Sequence, residues 1–195
     1  MRKLSLLLLL PLLAACVSTE GLSAESKRPP AGNPKASLLV EEFGDLQCPA
    51  CKAAHTSIVK PLLAKEGNAI RYEFRHFPLR NIHAFAEEAA EAAECAADQG
   101  KFWEFLDDNY ENQSKLSRKD LVARAGKVGV ADTALFTRCI KSRIKKNAIQ
   151  KDYEEGLKRG VQGTPTFFVG GEKVPTNTID IITTMIKAKQ KGQKL

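Results

Sequence analysis

The sequence predicts an α/β domain, with short strands near both ends of its folded part and a long helical stretch between them. Three observations carry that reading. Leu38 to Phe43 is short, apolar at its start and free of helix caps, which favours a strand. From Ile82 to Arg159 the chain is almost entirely helical in character. Phe167-Phe168-Val169 and Lys173-Val174 then flank Gly170-Gly171 as two strands joined by a turn.

The first strand leads into the stretch that organises the rest. It breaks at Gly44-Asp45 and restarts as a helix carrying Cys48 and Cys51. Pro49 stands where a first helical residue belongs, because its missing N–H would be unsatisfied there anyway. Cys48 is then the N-cap, with its sulfur against the open N–H groups of the helix start. About half a unit of positive charge there favours a thiolate, and Lys52 adds a cation nearby. Cys51 lies one turn further in, close enough to attack a mixed disulfide formed on Cys48.

Four ordered parts of the chain resemble the thioredoxin superfamily, and within it the DsbA-like branch of bacterial thiol-disulfide oxidoreductases. They are Glu42-Phe43-Gly44-Asp45-Leu46-Gln47-Cys48-Pro49-Ala50-Cys51, Tyr72 to Leu79, Gln99-Gly100-Lys101-Phe102-Trp103, and Gly163-Thr164-Pro165-Thr166-Phe167. A lone CxxC would be weak, but four parts in order are specific. The resemblance covers roughly Ala36 to the C-terminus. It implies a thioredoxin fold, a mixed sheet flanked by helices, with a helical subdomain inserted at about residues 80–159.

The first fifteen residues read as a signal peptide. Arg2-Lys3 is a positive start, and Leu4 to Leu13 is an apolar run too short to span a bilayer. Leu13-Ala14-Ala15-Cys16 resembles the lipobox of bacterial lipoproteins, which implies lipidation of Cys16; the alternative is an ordinary cleavage site and an unmodified thiol. Val17, rather than Asp, follows the cysteine, so an outer-membrane anchor is expected over an inner-membrane one. Several acyl chains would hold stably where one would not. Residues 16–35 are polar and proline-containing, which predicts a mobile tether before a single domain at 36–195.

Five cysteines divide into Cys16, the Cys48–Cys51 pair, and Cys95 with Cys139. In an oxidising compartment the last two are expected to bond, the alternative being two separate buried thiols. A zinc site made from all four fits poorly, since the second pair lacks close ligand spacing. No metal site is expected.

Further along, the helix from Pro49 runs to about Glu66, kinked near Pro61, and Gly67-Asn68 ends it. His55 reads as a partly exposed surface residue and His76 as structural. Ile70 to Phe74 is a strand beside the first. In His83 to Ala97, Phe85, Ala89, Ala92, Ala93 and Ala96 form the inner face, with Glu87, Glu88, Glu91 and Glu94 outside. Phe102, Trp103, Phe105 and Leu106 read as core. Ser117 and Asp132 look like caps of the next two helices. Thr178 to about Lys189 closes the chain with Ile181, Ile182, Met185 and Ile186 inward. The formal charge is +7, of which Arg2 and Lys3 leave with the signal. The basic stretch Arg138 to Arg159 is interspersed with acids, so it reads as a solvated face rather than a nucleic-acid surface.

What the resemblance implies for chemistry is disulfide exchange with cysteine-containing envelope proteins, with no cofactor. Cys48 is the attacked and attacking sulfur and Cys51 the resolving one. Glu42 matches the family's buried acid and is expected to have a raised pKa and to move the Cys51 proton, while Glu41 points the other way. Thr164-Pro165 corresponds to the family's cis-proline loop, whose free backbone groups would bind an extended substrate beside Cys48. An oxidant working with a membrane redox partner is expected, with a reductase or isomerase as the alternative. Ala50, where a strong oxidant has histidine, suggests a milder one. Isomerases usually carry a dimerisation domain, and the short polar tether is not one, so a monomer is expected. A rival from another class is a Cu(I)-handling lipoprotein using the CxxC, which soft thiolates suit.

Overall fold

The structure, a computed structural model, describes residues 19–193. The signal peptide and Cys16 lie outside the described residues. Five strands form one mixed sheet in the order β1-β3-β2-β4-β5, from Ala31–Gly32 (β1), Leu39–Gly44 (β2), Arg71–His76 (β3), Thr166–Val169 (β4) and Glu172–Lys173 (β5). β2 and β3 are parallel, as the helical crossover between them requires, and every other pairing is antiparallel.

That crossover is helix α1 (Pro49–Ala54), a π-helical segment at His55–Val59, and α2 (Lys60–Glu66). The expected kink near Pro61 takes this form. Proline offers no N–H to the preceding turn, and the Lys60 N–H reaches back to the His55 carbonyl instead. Between β3 and β4 stand five helices, α3 (Ala86–Ala97), α4 (Phe102–Glu111), α5 (Arg118–Ala125), α6 (Thr133–Ser142) and α7 (Lys146–Lys158), and α8 (Ile179–Gln190) follows β5. Ser117, Asp132 and Thr178 each accept a backbone N–H as N-caps.

Strand alternation divides the core. Val40, Tyr72, Phe167 and Val169 face Ile58, Leu62, Ile182 and Ile186 on one side, while Phe43, Phe77, Val161 and Phe168 pack on the other. Gly156 lets α7 approach that second layer closely, since a Cβ there would stand 2.6 Å from the Phe77 ring. The insertion has a core of its own around Phe102, Phe105, Leu106 and Phe136, tied by the Cys95–Cys139 disulfide between α3 and α6.

Three expectations need correction. First, the described part of the supposed tether is docked. β1 pairs with β3, Leu22 packs on the insertion core, and the Pro29 carbonyl accepts Trp103 Nε1 at 3.1 Å. Its polar composition misled because its partners are ionic: Arg28 Nη1 lies 2.6 Å from Asp152 Oδ2 and 3.0 Å from Glu94 Oε1. Second, Glu91 and Glu94 are buried rather than outside. Glu91 pairs with Arg143, and Glu94 sits between Arg28 and His76. Burial alone would raise the Glu94 carboxyl, but His76 and Arg28 hold it at about 2. Third, the basic stretch is not wholly a solvated face. Lys145 is fully buried, with Nζ 2.6 Å from both the Glu25 carbonyl and Asp98 Oδ1.

Candidate active site

Cys48 is the N-cap of α1, in extended conformation (φ −73°, ψ 121°), and Pro49 follows at N1. The turn that brings it there is held by Asp45. Its carbonyl accepts the Cys48 N–H at 3.1 Å, and its carboxylate accepts Gln47 N at 2.7 Å, Leu79 N at 2.8 Å and His83 Nδ1 at 2.7 Å. From the insertion, Gln113 Nε2 donates to the carbonyls of Leu46 (3.0 Å) and Cys48 (2.9 Å). The redox turn is therefore clamped from three sides. Neither Asp45 nor Gln113 was marked as a site residue by sequence reasoning, because their partners are backbone atoms brought close only by the fold.

Both cysteines are buried free thiols. Cys48 is 6% exposed and Cys51 fully buried. Their pKa values are pushed apart. The Cys48 thiol is lowered to about 5, first by its hydrogen bond with Cys51, then, against the opposing effect of burial, by Thr164 and by the backbone N–H groups of Cys51 and Ala50. Ala50 thus acts through its backbone. Lys52 turns instead to the Glu111 carbonyl at 3.5 Å. Cys51 is raised well above the ordinary thiol range, by burial first and then by Cys48 and the charge of Glu42. Such a pair gives one sulfur that is ionised at neutral pH and one that needs a base.

Glu42 stands on β2 with 1% exposure. Burial lifts its carboxyl to about 7, against the hydrogen bond from Tyr72, which donates its hydroxyl to Glu42 Oε2. Glu42 Oε1 has no hydrogen-bond partner among the described residues. Gly44 leaves it room, since a Cβ there would stand 3.2 Å from Oε1 and within 2.4 Å of the Phe74 ring. Glu41 does face the opposite way, to Arg159 Nη2 at 2.8 Å.

The Thr164–Pro165 bond is cis, and the Thr164 carbonyl lies 3.4 Å from Cys48 Sγ. The Thr164 hydroxyl is buried, with no hydrogen-bond partner among the described residues. Cys48, Cys51, Glu42, Thr164 and Pro165 therefore converge at one end of the sheet. His55 corrects an expectation: it is 6% exposed, with Nε2 2.5 Å from Asp107 Oδ1 and its ring 5.0 Å from that of Tyr110. α4 of the insertion covers the helix face that would otherwise be open to solvent. His76, expected to be structural, sits 1% exposed beside Glu94.

Residues 25–188 match the family model described as Thioredoxin. Among solved structures the chain is similar to BdbD from Bacillus subtilis in its oxidised state, with TM-score 0.77 and 22% identity over 85% of this chain and 94% of that one. It is also similar to a thioredoxin-like oxidoreductase from Silicibacter pomeroyi, with TM-score 0.75 and 26% identity over 86% and 94% of the two chains. The thiol-disulfide exchange protein alpha-DsbA2 from Wolbachia pipientis gives TM-score 0.72 and 22% identity over 83% and 86%. A curated relative, Na(+)/H(+) antiporter NhaA 1 from Salinispora arenicola, is 39% identical over 142 residues, which is 73% of this chain and 21% of that protein. The chain thus spans about a fifth of that relative's length, and the likeness concerns that portion alone. With its sheet order, inserted helices and paired cysteines, the chain belongs to the thioredoxin family and carries the fold of its DsbA-like, thiol-disulfide oxidoreductase branch.

Proposed function

We propose that the protein exchanges disulfides with cysteine-containing envelope proteins, most often as the oxidant. The observation that carries this is the split between Cys48, lowered to about 5, and Cys51, raised far above it. Stabilising the Cys48 thiolate stabilises the reduced enzyme relative to its disulfide, so the disulfide is readily passed on. In the oxidising direction a substrate thiolate attacks Cys48 Sγ, and the Cys48–Cys51 bond breaks with its electron pair on Cys51. A second substrate thiolate then displaces Cys48, leaving substrate disulfide and reduced enzyme. In reverse, Cys48 attacks a substrate disulfide and Cys51 resolves the mixed disulfide.

Glu42 is the proton carrier for Cys51 in this scheme, because its carboxyl titrates near neutral pH beside a thiol that does not ionise unaided. The cis Thr164-Pro165 loop presents the extended substrate. Ile82, Leu157 and Phe85 are the large apolar side chains left exposed among the described residues; Phe85, expected on the inner face of its helix, caps α3 instead and stays outside the core. Ile82 and Leu157 line a groove between the 77–82 loop and the end of α7, the segment that runs on into Thr164-Pro165. An unfolded chain flanking its cysteine with apolar residues fits there. Anchorage through a lipidated Cys16, on the outer membrane, places the reaction in the envelope. Among the described residues no helix is long and apolar enough to cross a membrane.

Glu42→Gln tests the base. In wild type, resolution of a Cys48 mixed disulfide by Cys51 should accelerate with pH through about 7, as the carboxylate forms. The variant should lose that inflection and run about 100-fold slower, the low end for general-base catalysis. A folded-state pKa raised from 4.5 to about 7 also means that Glu42's stabilising contribution is present below 4.5 and lost as pH rises through 7. The glutamine variant should therefore be more stable than wild type at pH 8, by roughly 2–4 kcal/mol. Unchanged resolution kinetics across pH would remove Glu42 from the mechanism.

A further inference from the structure

The core that buries Cys51 holds a polar group that the scheme above does not use. Tyr110 lies on α4 with 2% exposure, and its hydroxyl has no hydrogen-bond partner among the described residues. Phenol hydroxyls buried at this depth normally find a partner. Its ring is fixed against His55, which is itself held by Asp107 on α4, with Lys60 Nζ 3.6 Å from the same carboxylate oxygen. The groups whose charges reach the hydroxyl are Cys51 on α1, then Glu42 on β2, Tyr72 on β3 and Asp45 in the redox turn. Burial first, and then those negative charges, raise Tyr110 well above its ordinary value, so it remains a donor at working pH.

Glu42 Oε1 is a second buried orphan, because Tyr72 occupies Oε2, and its carboxylate is among the charges that reach the Tyr110 hydroxyl. Two unsatisfied buried polar groups beside a buried thiol are the setting in which a protein retains internal water. We infer that Tyr110 is a positioning residue for disulfide exchange: its hydroxyl and Glu42 Oε1 together hold one internal water molecule against Cys51 Sγ. Through that water the proton passes from the Cys51 thiol to the Glu42 carboxylate. The Cys51 thiolate then forms its bond to Cys48 Sγ, and the mixed disulfide breaks with its electron pair on the departing sulfur. The insertion thus supplies part of the proton path as well as a lid over the cysteines. This inference rests on the reading of Glu42 as the base for Cys51.

The test uses the whole protein with Cys48 carrying glutathione as a mixed disulfide, and follows release of glutathione against pH. Tyr110→Phe keeps the ring and removes only the hydroxyl. Release should slow about tenfold at pH 7, the loss of one hydrogen bond to a charged group. The pH midpoint should also move upward, since the carboxylate loses the held water whose O–H donates to it. The pH dependence of Cys48 alkylation in the reduced protein should stay as in wild type and doubles as a check of folding. An unchanged release rate and midpoint would overturn the inference alone. Failure of the wild type itself to release glutathione would overturn the exchange reading and this inference with it. A crystal structure of the reduced wild type is independent of the variant's folding. It should show a water bonded to Tyr110 Oη and Glu42 Oε1 within reach of Cys51 Sγ. A direct bond between Tyr110 and Glu42, or a dry compartment, would contradict it.

Discussion

Cys48→Ser is expected to abolish thiol-disulfide exchange, lowering the rate by at least about 1,000-fold, because the thiolate is the nucleophile. With its pKa near 5, Cys48 is about 99% ionised at pH 7, whereas an unperturbed thiol with pKa near 8.5 is only about 3% ionised. A serine hydroxyl in the same place, beside the Thr164 carbonyl and the helix N–H groups, neither ionises nor forms a disulfide. Cys51→Ser should behave in the opposite way. Cys48 keeps its surroundings at the helix start and still attacks, but no sulfur stands behind it to resolve the product. Mixed disulfides with glutathione or a peptide should therefore accumulate and be visible by mass spectrometry. The alkylation rate of Cys48 should fall as pH drops through about 5, the direction required of a thiol whose pKa is depressed. Full exchange activity in Cys48→Ser would move the chemistry elsewhere in the molecule.

The second large effect concerns Cys95 and Cys139, replaced together by alanine. Their disulfide closes a loop with a sequence separation of 44 and joins α3 to α6 inside the insertion core. In the chain-entropy model, a cross-link of that span stabilises by about 4 kcal/mol. For a domain of this size that corresponds to a fall of roughly 8–16 °C in Tm. Alanine is the better substitution, since serine would bury two hydroxyls in an apolar core. Denaturant midpoints measured without reductant should show the loss, with exchange at Cys48 retained in the folded protein. A destabilisation under about 1 kcal/mol would mean that the packing of α3 and α6 in the insertion core already holds the two helices.

Legibility in the sequence follows the range of the interaction. The strand Leu39–Gly44, the Cys48 cap, Pro49 at N1, and the caps at Ser117, Asp132 and Thr178 are local events, and their signals lie within a few residues. The positions of Glu42, Thr164 and Pro165 came from the family resemblance, and the fold brings them to one place. What escaped was long-range and polar. Arg28 reads as part of a soluble tether until Glu94 and Asp152 come to meet it from α3 and α7. Glu91 and Glu94 read as solvent-facing because helical periodicity cannot see a cation on another segment. His55 read as surface because nothing near it in sequence tells that α4 will cover it. Tyr72 looked like an ordinary strand residue, and its hydroxyl became the partner of Glu42 only through the parallel pairing of β2 and β3.

The same contrast explains why the insertion matters to the chemistry. Gln113 clamps the Cys48 turn, Asp107 fixes His55, and the Tyr110 ring packs on His55, and all three come from α4 or the turn after it. The sheet supplies the acid and α1 the sulfurs. The inserted helices pack over the sulfurs.

The reduction potential of the Cys48–Cys51 pair, measured by equilibrium against glutathione with Cys95 and Cys139 followed separately, tests the central claim most directly. A reversible two-electron couple is expected on the oxidising side of roughly −270 mV, the value of thioredoxin, and towards roughly −120 mV, that of DsbA. A value at or below roughly −270 mV would contradict the oxidant reading, and the absence of any reversible couple would contradict disulfide exchange altogether.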